Sequence, residues 1–356
     1  MTSRERITNS FNHKQPDRTP IWEYVLDSEK LTSFILGRPA SFLHWDDCVD
    51  EMGWENSVRQ LAIDRLDIAE FFGHDMLYQL PNQAPPSKIN TLPDNNISDA
   101  DDPVAIVVRR NHKKREFPLQ ISEHSFLIYD FLQQEMKNRS IDLPILAPAY
   151  SHGVWTDIDL MQTMLLEPQA AHEHFSIATE YCEKRIDEYF KHQIKLIGIG
   201  GDFAGNRPLI SPESYRTFIM PELKKLSAKI HLADAYAINA SDGNLWSVIE
   251  DFLIGSGVDG YLEIDLHAGM ELKKLKNIYG EKITFLGNLD CGNTLSFASP
   301  DIIRNVVIQC LEDGMGNGGH LLTASNAITD SVPIQNYFAM VNAYREYFSI
   351  PRLNFK

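Results

Sequence analysis

The stretch AYAINASDGN, Ala235 to Asn244, decides the fold. Its apolar residues pass directly into Asn239, Ala240, Ser241, Asp242, Gly243 and Asn244, and a helix-like segment follows. A hydrophobic run that ends in small and polar residues ahead of a helical stretch reads as a buried strand delivering side chains into a site. Three more runs end the same way: IKLIGIGGDFAGN (Ile194 to Asn206), KITFLGNLDCGN (Lys282 to Asn293) and HLLTASNAI (His320 to Ile328). Strand, polar tip and helix in repetition are the pattern of a parallel sheet with its site at the carboxyl ends of the strands.

Working outward from these runs, strands are expected near residues 21, 76, 146, 197, 238, 262, 285 and 322, each followed by a helical stretch. The first, Ile21-Trp22-Glu23-Tyr24-Val25, ends near Glu23. Eight such units predict an α/β fold, a (β/α)8 TIM barrel occupying residues 1–356 as a single domain. The stretch from about Leu160 to His192 reads as one long helical region, and Leu245 to Gly255 as another helix. Residues 81–122 break the rhythm. Pro81 to Asp102 reads as loop. Val104 to Val108 and Phe117 to Ile121, joined by the charged turn RRNHKKRE, read as a β-hairpin inserted on the barrel. The basic residues Arg109, Arg110, Lys113, Lys114 and Arg115 then form a solvated tip, with an anion site as the alternative.

Composition sets outer bounds. With 43% hydrophobic and 23% charged residues the chain has the make-up of a globular protein. A formal charge of −16 argues against non-specific binding to nucleic acid or to an anionic membrane. No apolar run reaches the roughly 18 residues that span a bilayer, and the polar start MTSRERITNSFNHKQPDR does not read as a signal peptide. A cytoplasmic protein is expected, with Cys48, Cys182, Cys291 and Cys310 as reduced thiols. His172 and His174 stand two apart in a helical stretch, where they do not face each other.

Several segments carry a family resemblance. The opening Arg6, Phe11, Asn12, His13, Pro16, Asp17, Arg18, Pro20, Ile21 and Trp22 resembles the start of the uroporphyrinogen decarboxylase superfamily, on its corrinoid methyltransferase-like side. So do GDFAGNRPLISPESYR, SDGNLWSVIEDFLIGSGVDGY, AGMELKKLKNIYG, FLGNLDCGNTL and VPIQNYFAMVNAYREY. The resemblance implies one of two chemistries. Decarboxylation of uroporphyrinogen relies on an arginine-bearing segment just after the first strand; here that place reads EYVLDSEKL, acidic instead. Methyl transfer runs between a small methylated compound, a corrinoid protein and a thiol. Its thiol-activating members hold zinc with a His-x-Cys pair and a later Cys, and those places fall here on Ala240, Asp242 and Asn326.

The residues and the resemblance converge on the strand tips. Asp242 and Asn244 are placed to orient a polar substrate. Asp202 and Glu263 sit at other tips, where crowding and burial raise a carboxylate's pKa and suit it to general acid work; capping of helix N-termini is the alternative. Asn288, Asp290, Asn326 and His152 are expected on the same face as substrate-binding residues, with Trp22 and Tyr150 as pocket walls or core. Cys291 reads as an inert thiol. The resulting expectation is an enzyme without a tightly bound cofactor or metal. It moves a methyl group between a small compound and a corrinoid on a partner protein, and a homodimer is open to it. A cofactor-free decarboxylase, for which Arg18 and Arg207 are the near cations, and an inactive ligand-binding barrel are the rivals.

The purified protein is expected to carry no stoichiometric zinc, since Ala240 has no donor atom and Asp242 and Asn326 are not soft ligands. Metal analysis that finds about one zinc per chain, lost on mutation of these tips, would overturn this.

Overall fold

The computed structural model describes residues 1–85, 102–314 and 317–354. Part of the inserted stretch expected at 81–122 lies outside the described residues. Chain contacts divide the protein into two compact units. Among the described residues seven strands follow one another: β1 (Leu77–Tyr78), β2 (Ile145–Pro148), β3 (Leu196–Gly200), β4 (Tyr236–Ala240), β5 (Gly260–Leu262), β6 (Thr284–Leu286) and β7 (His320–Leu321). They match seven of the eight positions read from the sequence, and helices separate most of them.

The first unit comprises Met1–Pro81, Leu127–Leu146 and Asp259–Lys356. Within it β1 pairs in parallel with the start of β2, and β5, β6 and β7 pair in parallel in that order. The eighth expected strand is reduced to isolated parallel bridges, Ile21 to Leu322 and Leu26 to Ile328. The Ile21 carbonyl accepts the Asp75 amide at 2.7 Å, and the Trp22 amide donates to Leu322 at 3.1 Å. The Ile21 segment therefore lies between the chain leading into β1 and the end of β7. It does not form a regular ladder because its groups are engaged otherwise. Pro20 has no N–H to give, and the Ile21 amide donates to the Asp75 side chain at 3.1 Å.

Asp75 is the fixed point of this unit. Its side chain has no exposure, and Arg18 grips it through two bonds of 2.5 and 2.8 Å. Arg6 at 3.2 Å and the Ser3 hydroxyl at 2.9 Å complete its shell. Arg18 also donates to Tyr344, whose hydroxyl donates in turn to the Thr19 carbonyl at 2.6 Å. The N-terminal helix Ser3–Phe11, capped by Thr2 and Glu5 in a reciprocal box, is thereby tied to the first strand and to the last helix, Ile334–Tyr347.

The second unit comprises Asn82–Phe126 and Ala147–Val258. Here β3 and β4 pair in parallel over five residues, Leu196 with Tyr236 through Gly200 with Ala240. The chain leaving β2 joins them, since the Ala149 amide donates to Gly198 at 2.6 Å. The expected hairpin is not present. Pro103–Glu116 is an α-helix with Asp102 as its N-cap and Pro103 at its first position. Val104, Ile106, Val107 and Val108 are β-formers, but tertiary packing overrides a weak preference. Ile106, Val107 and Asn111 are buried, and the Asn111 amide donates to the Ala170 carbonyl at 2.8 Å. The basic residues fall in the last turns, where the helix dipole favours them. The region from Leu160 to His192 is two helices, Ile158–Leu166 and Pro168–Lys191, because Pro168 disfavours a helical conformation at Glu167. Leu245 to Gly255 is a turn that passes into a short helix at 249–255, π-helical over Asp251–Gly255. Among the described residues no helix is long and apolar enough to cross a membrane.

Removing one partner of a buried ion pair leaves the other charge unsolvated, at a cost of about 3–5 kcal/mol. Asp75→Ala should therefore lower the urea midpoint of unfolding markedly, whereas Asp75→Ala combined with Arg18→Met should recover part of the loss. Equal stability of the single variant and the wild type would show that the network is dispensable.

Candidate active site

In the second unit the strand tips meet backbone against backbone. Gly243 follows β4 with φ of 88°, and a Cβ there would stand 2.4 Å from the Gly205 carbonyl oxygen. Gly201, φ 136°, lies as close to Gly153, with its would-be Cβ 2.7 Å from the Gly153 nitrogen. Only glycine allows both the left-handed backbone and the close approach. This packing carries Asp202 and Asp242 together: the Asp242 amide donates to the Asp202 carboxylate at 3.0 Å. The Asn244 side chain accepts from the Trp246 amide at 3.2 Å, while the Asn244 amide donates to Gly205 at 2.7 Å. Asp202 thus holds the turn after β4 in place, and the Asp242 and Asn244 side chains are half-buried on that turn.

Tyr150 and His152 diverge. The Tyr150 ring lies over Gly198 of β3, so that a Cβ at Gly198 would meet its hydroxyl at 2.6 Å. His152, expected at the strand tips, is instead fully buried toward the helices. Its Nε2 lies 2.9 Å from the Thr179 hydroxyl, which is 2.8 Å from the Glu222 carboxylate, and burial lowers its pKa to about 4. It is a neutral packing residue because Pro168–Lys191 and Met220–Leu232 surround it with side chains from outside the sheet.

In the first unit the chemistry centres on Glu23, which the sequence reading named only as an acid in place of arginine. Glu23 ends the Ile21 segment and is 7% exposed. One oxygen accepts from the Thr323 hydroxyl at 2.9 Å and from the amides of Ala324 at 3.2 Å and Tyr24 at 3.3 Å. The other accepts from the Tyr337 hydroxyl at 3.1 Å. Burial pushes the carboxyl pKa up to about 7 against the pull of these donors. The Tyr337 hydroxyl lies 3.5 Å from His74, whose ring burial keeps neutral, with a pKa of about 3. A cavity of ≈ 30 Å³, room for a water molecule, opens among Glu23, Tyr24, His74, Tyr78 and Arg65. Arg65 lies over the Phe42 ring, 3.6 Å from its centroid, and burial lowers its pKa to about 10. A carboxyl near neutrality beside a neutral histidine and a tyrosine hydroxyl can both give and take a proton at physiological pH. The signal in the sequence was an acid at the end of an otherwise apolar strand.

The other residues expected in this unit have defined places. Trp22 is wholly buried core, edge-on to Tyr24 at 6.5 Å between ring centroids. Glu263 follows β5, is buried, and has φ of 70°, a conformation rare for a non-glycine residue and characteristic of functional positions. Asp290 caps the π-helical turn Cys291–Leu295, accepting from the Asn293 amide at 3.1 Å and the Thr294 amide at 2.7 Å, with His267 at 2.8 Å. Burial raises its pKa, but the His267, Thr294 and Asn293 donors outweigh that and hold it below the ordinary value. Asn288 donates to the Met270 carbonyl at 3.3 Å, and Asn326 accepts from the Ala327 amide at 2.7 Å. Cys291 lies 3.7 Å from the Ser325 hydroxyl, and burial pushes its thiol pKa up, as an inert thiol requires.

The zinc of the thiol-activating relatives finds no fitting donor set. Ala240 is buried and has no side-chain donor, and Asp242 and Asn326 offer oxygen where those members offer nitrogen and sulfur. Among the described residues no group of three His, Cys, Asp or Glu side chains is arranged to hold a metal. Of the cations considered for carboxylate binding, Arg18 is committed to Asp75 and Tyr344, and Arg207 is exposed.

The family model described as Uroporphyrinogen decarboxylase (URO-D) matches residues 156–347, more than half of the chain, and the chain belongs to that family. Uroporphyrinogen decarboxylases of Dichelobacter nodosus and Geotalea uraniireducens are 28% and 27% identical over 166 and 183 residues. A methylated-thiol–coenzyme M methyltransferase of Methanosarcina mazei is 24% identical over 189 residues. These alignments cover 45%, 50% and 52% of this chain and 45%, 51% and 47% of the relatives. The chain therefore spans about half the length of the curated relatives it matches. A solved methyltransferase from Methanosarcina mazei shares the fold at a TM-score of 0.69 and 17% identity, over 98% of this chain and 99% of that one. The superfamily resemblance read from the sequence is thus met, and the solved methyltransferase shares the fold over nearly the whole of both chains.

Glu23 makes a signed prediction. Its folded pKa of about 7 lies above the ordinary 4.5, so the folded state holds the proton more tightly and gains stability while the carboxyl is protonated. That gain is complete below pH 4.5 and disappears as pH rises through 7. Relative to Glu23→Gln, the wild type should lose on the order of 3 kcal/mol across this window, at about 1.36 kcal/mol per unit. Subtracting the Gln variant removes the opposing contribution of His74, which gains stability as pH rises toward its ordinary 6.5. Parallel stability profiles for the two proteins would show an unperturbed Glu23.

Proposed function

We propose that this chain is a methyltransferase of the uroporphyrinogen decarboxylase family. It moves a methyl group between a small methylated compound and a corrinoid carried by a partner protein. The observation that carries this reading is the Glu23 carboxyl, poised near neutrality on the first-strand segment, where the resemblance puts substrate-binding arginines in decarboxylases. A polyanion finds a carboxyl there in place of the arginine partners it needs. A neutral or cationic methyl donor does not need them.

Proton supply is what methyl transfer asks of the protein. The corrinoid would supply the acceptor for the methyl group; the heteroatom that loses the methyl would keep the electron pair of the broken bond, and Glu23 would give that atom a proton. Burial keeps the Glu23 proton available, and the Thr323, Tyr337, Ala324 and Tyr24 donors stabilise the carboxylate left behind. Within the second unit Asp202 fixes the turn that bears Asp242 and Asn244, and Glu263 is the second acid of the first unit. The decarboxylase reading keeps one argument, the two curated decarboxylase relatives at 28% and 27% identity.

One anaerobic experiment separates the two. The enzyme is incubated with cob(I)alamin and, in turn, methylated thiols, methylamines and methoxy compounds, and methylcobalamin is followed by its absorbance. The same preparation is incubated with uroporphyrinogen. Turnover of one methyl donor class is expected, with uroporphyrinogen unchanged. Glu23→Gln should lower kcat by roughly 10²–10⁴-fold, the usual worth of a general acid. Asp242→Ala should impair turnover without a large drop in melting temperature. Decarboxylated products from uroporphyrinogen would overturn the methyltransferase reading.

A further inference from the structure

The second unit holds a recess of ≈ 430 Å³ that the proposed chemistry does not use. One wall is the face of helix Pro168–Lys191 that presents His174, Ile177, Ala178, Tyr181 and Lys184. This spacing of three and four residues is one helical stripe. The opposite wall is the end of helix Pro103–Glu116 and the extended Phe117, Pro118 and Leu119. The volume falls in the range of small-molecule sites, roughly 300–1,000 Å³.

Its charges are not balanced. Arg115 and Glu180 cancel each other through bonds of 2.6 and 2.9 Å. Arg110, from the same helix as Arg115, is consumed by Asp157 and Asp159 at 3.0 Å each. Lys114 and Lys184 line the recess and have no hydrogen-bond or ion-pair partner among the described residues. The lining of the recess therefore holds three cationic side chains, Lys114, Arg115 and Lys184, against one acid, Glu180, in a chain whose formal charge is −16, and Asp157 lies close enough to Lys114 to offset part of its charge. His174 lines the recess as well, buried to 9% exposure, with its Nδ1 unpartnered among the described residues. Burial first, then the charges of Lys114 and Arg110, hold this imidazole neutral, with a pKa of about 4. A neutral ring can donate or accept a hydrogen bond. Phe117 and Leu119 keep 53% of their surface exposed at the rim, where an apolar ligand would cover them.

We propose that this recess binds a small organic anion with an apolar body, an aryl or medium-chain carboxylate. The carboxylate sits at Lys114 and Lys184, and the body lies against Phe117, Leu119, Ile177 and the Tyr181 ring. The basic cluster of the sequence is thus divided: Arg110 and Arg115 hold the helix to its neighbours, and Lys114 faces the ligand.

The probe is 2-naphthoate, with 2-naphthamide as its uncharged counterpart, titrated into the full-length protein and followed by naphthyl fluorescence. Naphthoate should bind at least tenfold tighter than the amide, and more weakly as salt is added. The double variant Lys114→Gln, Lys184→Gln should weaken naphthoate at least tenfold and leave the amide unchanged. Leu119→Asp, at an exposed position, should weaken naphthoate too, with circular dichroism confirming the fold of each variant. Equal affinity for acid and amide, binding unaffected by these variants, or no binding at millimolar naphthoate would each overturn the proposal.

Discussion

A carboxylate without exposure cannot stand alone, and Asp75 organises the first unit by this requirement. Its shell recruits Ser3 and Arg6 from the first helix, Arg18 from the turn and the amide of Ile21. An unpaired buried charge costs far more than the side-chain entropy of ordering these partners. The arrangement has two consequences for function. It converts the first strand into a bridged segment, because the Ile21 amide serves Asp75 instead of a neighbouring strand. It also commits Arg18, a cation that a carboxylate-binding site would otherwise recruit.

The end of that same segment sets the chemistry. Glu23 is held between burial, which favours the acid, and donors that favour the carboxylate. Neither wins outright, and a pKa near 7 follows. His74 and Tyr337 stay uncharged beside it. In the second unit the corresponding constraint is steric. Gly201 and Gly243 let three chain segments touch, and that contact turns Asp202 toward the Asp242 amide.

Helix Pro103–Glu116 shows how one surface can divide a run of like charges. Arg110 and Arg115 meet acids at Asp157, Asp159 and Glu180 and are neutralised. Lys114 points between them into a recess with no acid of its own to spare. The difference between a structural and an available cation here is a rotation of about 100° per residue along the helix.

The sequence by itself determined the repeating strand, tip and helix units, because a buried parallel strand needs a continuous apolar run and a tip does not. It located seven strands, the family and the absence of soft ligands at Ala240, Asp242 and Asn326. Tertiary structure decided what local preference leaves open. The apolar run of Val104 to Val108 became helix through Asp102, Pro103 and the burial of Ile106, Val107 and Asn111. His152 turned away from the strand tips to Thr179. Asp290 was spent on a cap and Asp202 on a turn, while Glu23, unremarkable in the sequence, acquired its perturbed carboxyl. Burial and hydrogen-bond partners come from residues far away in the chain, 314 positions for Glu23 and Tyr337, and no local pattern encodes them.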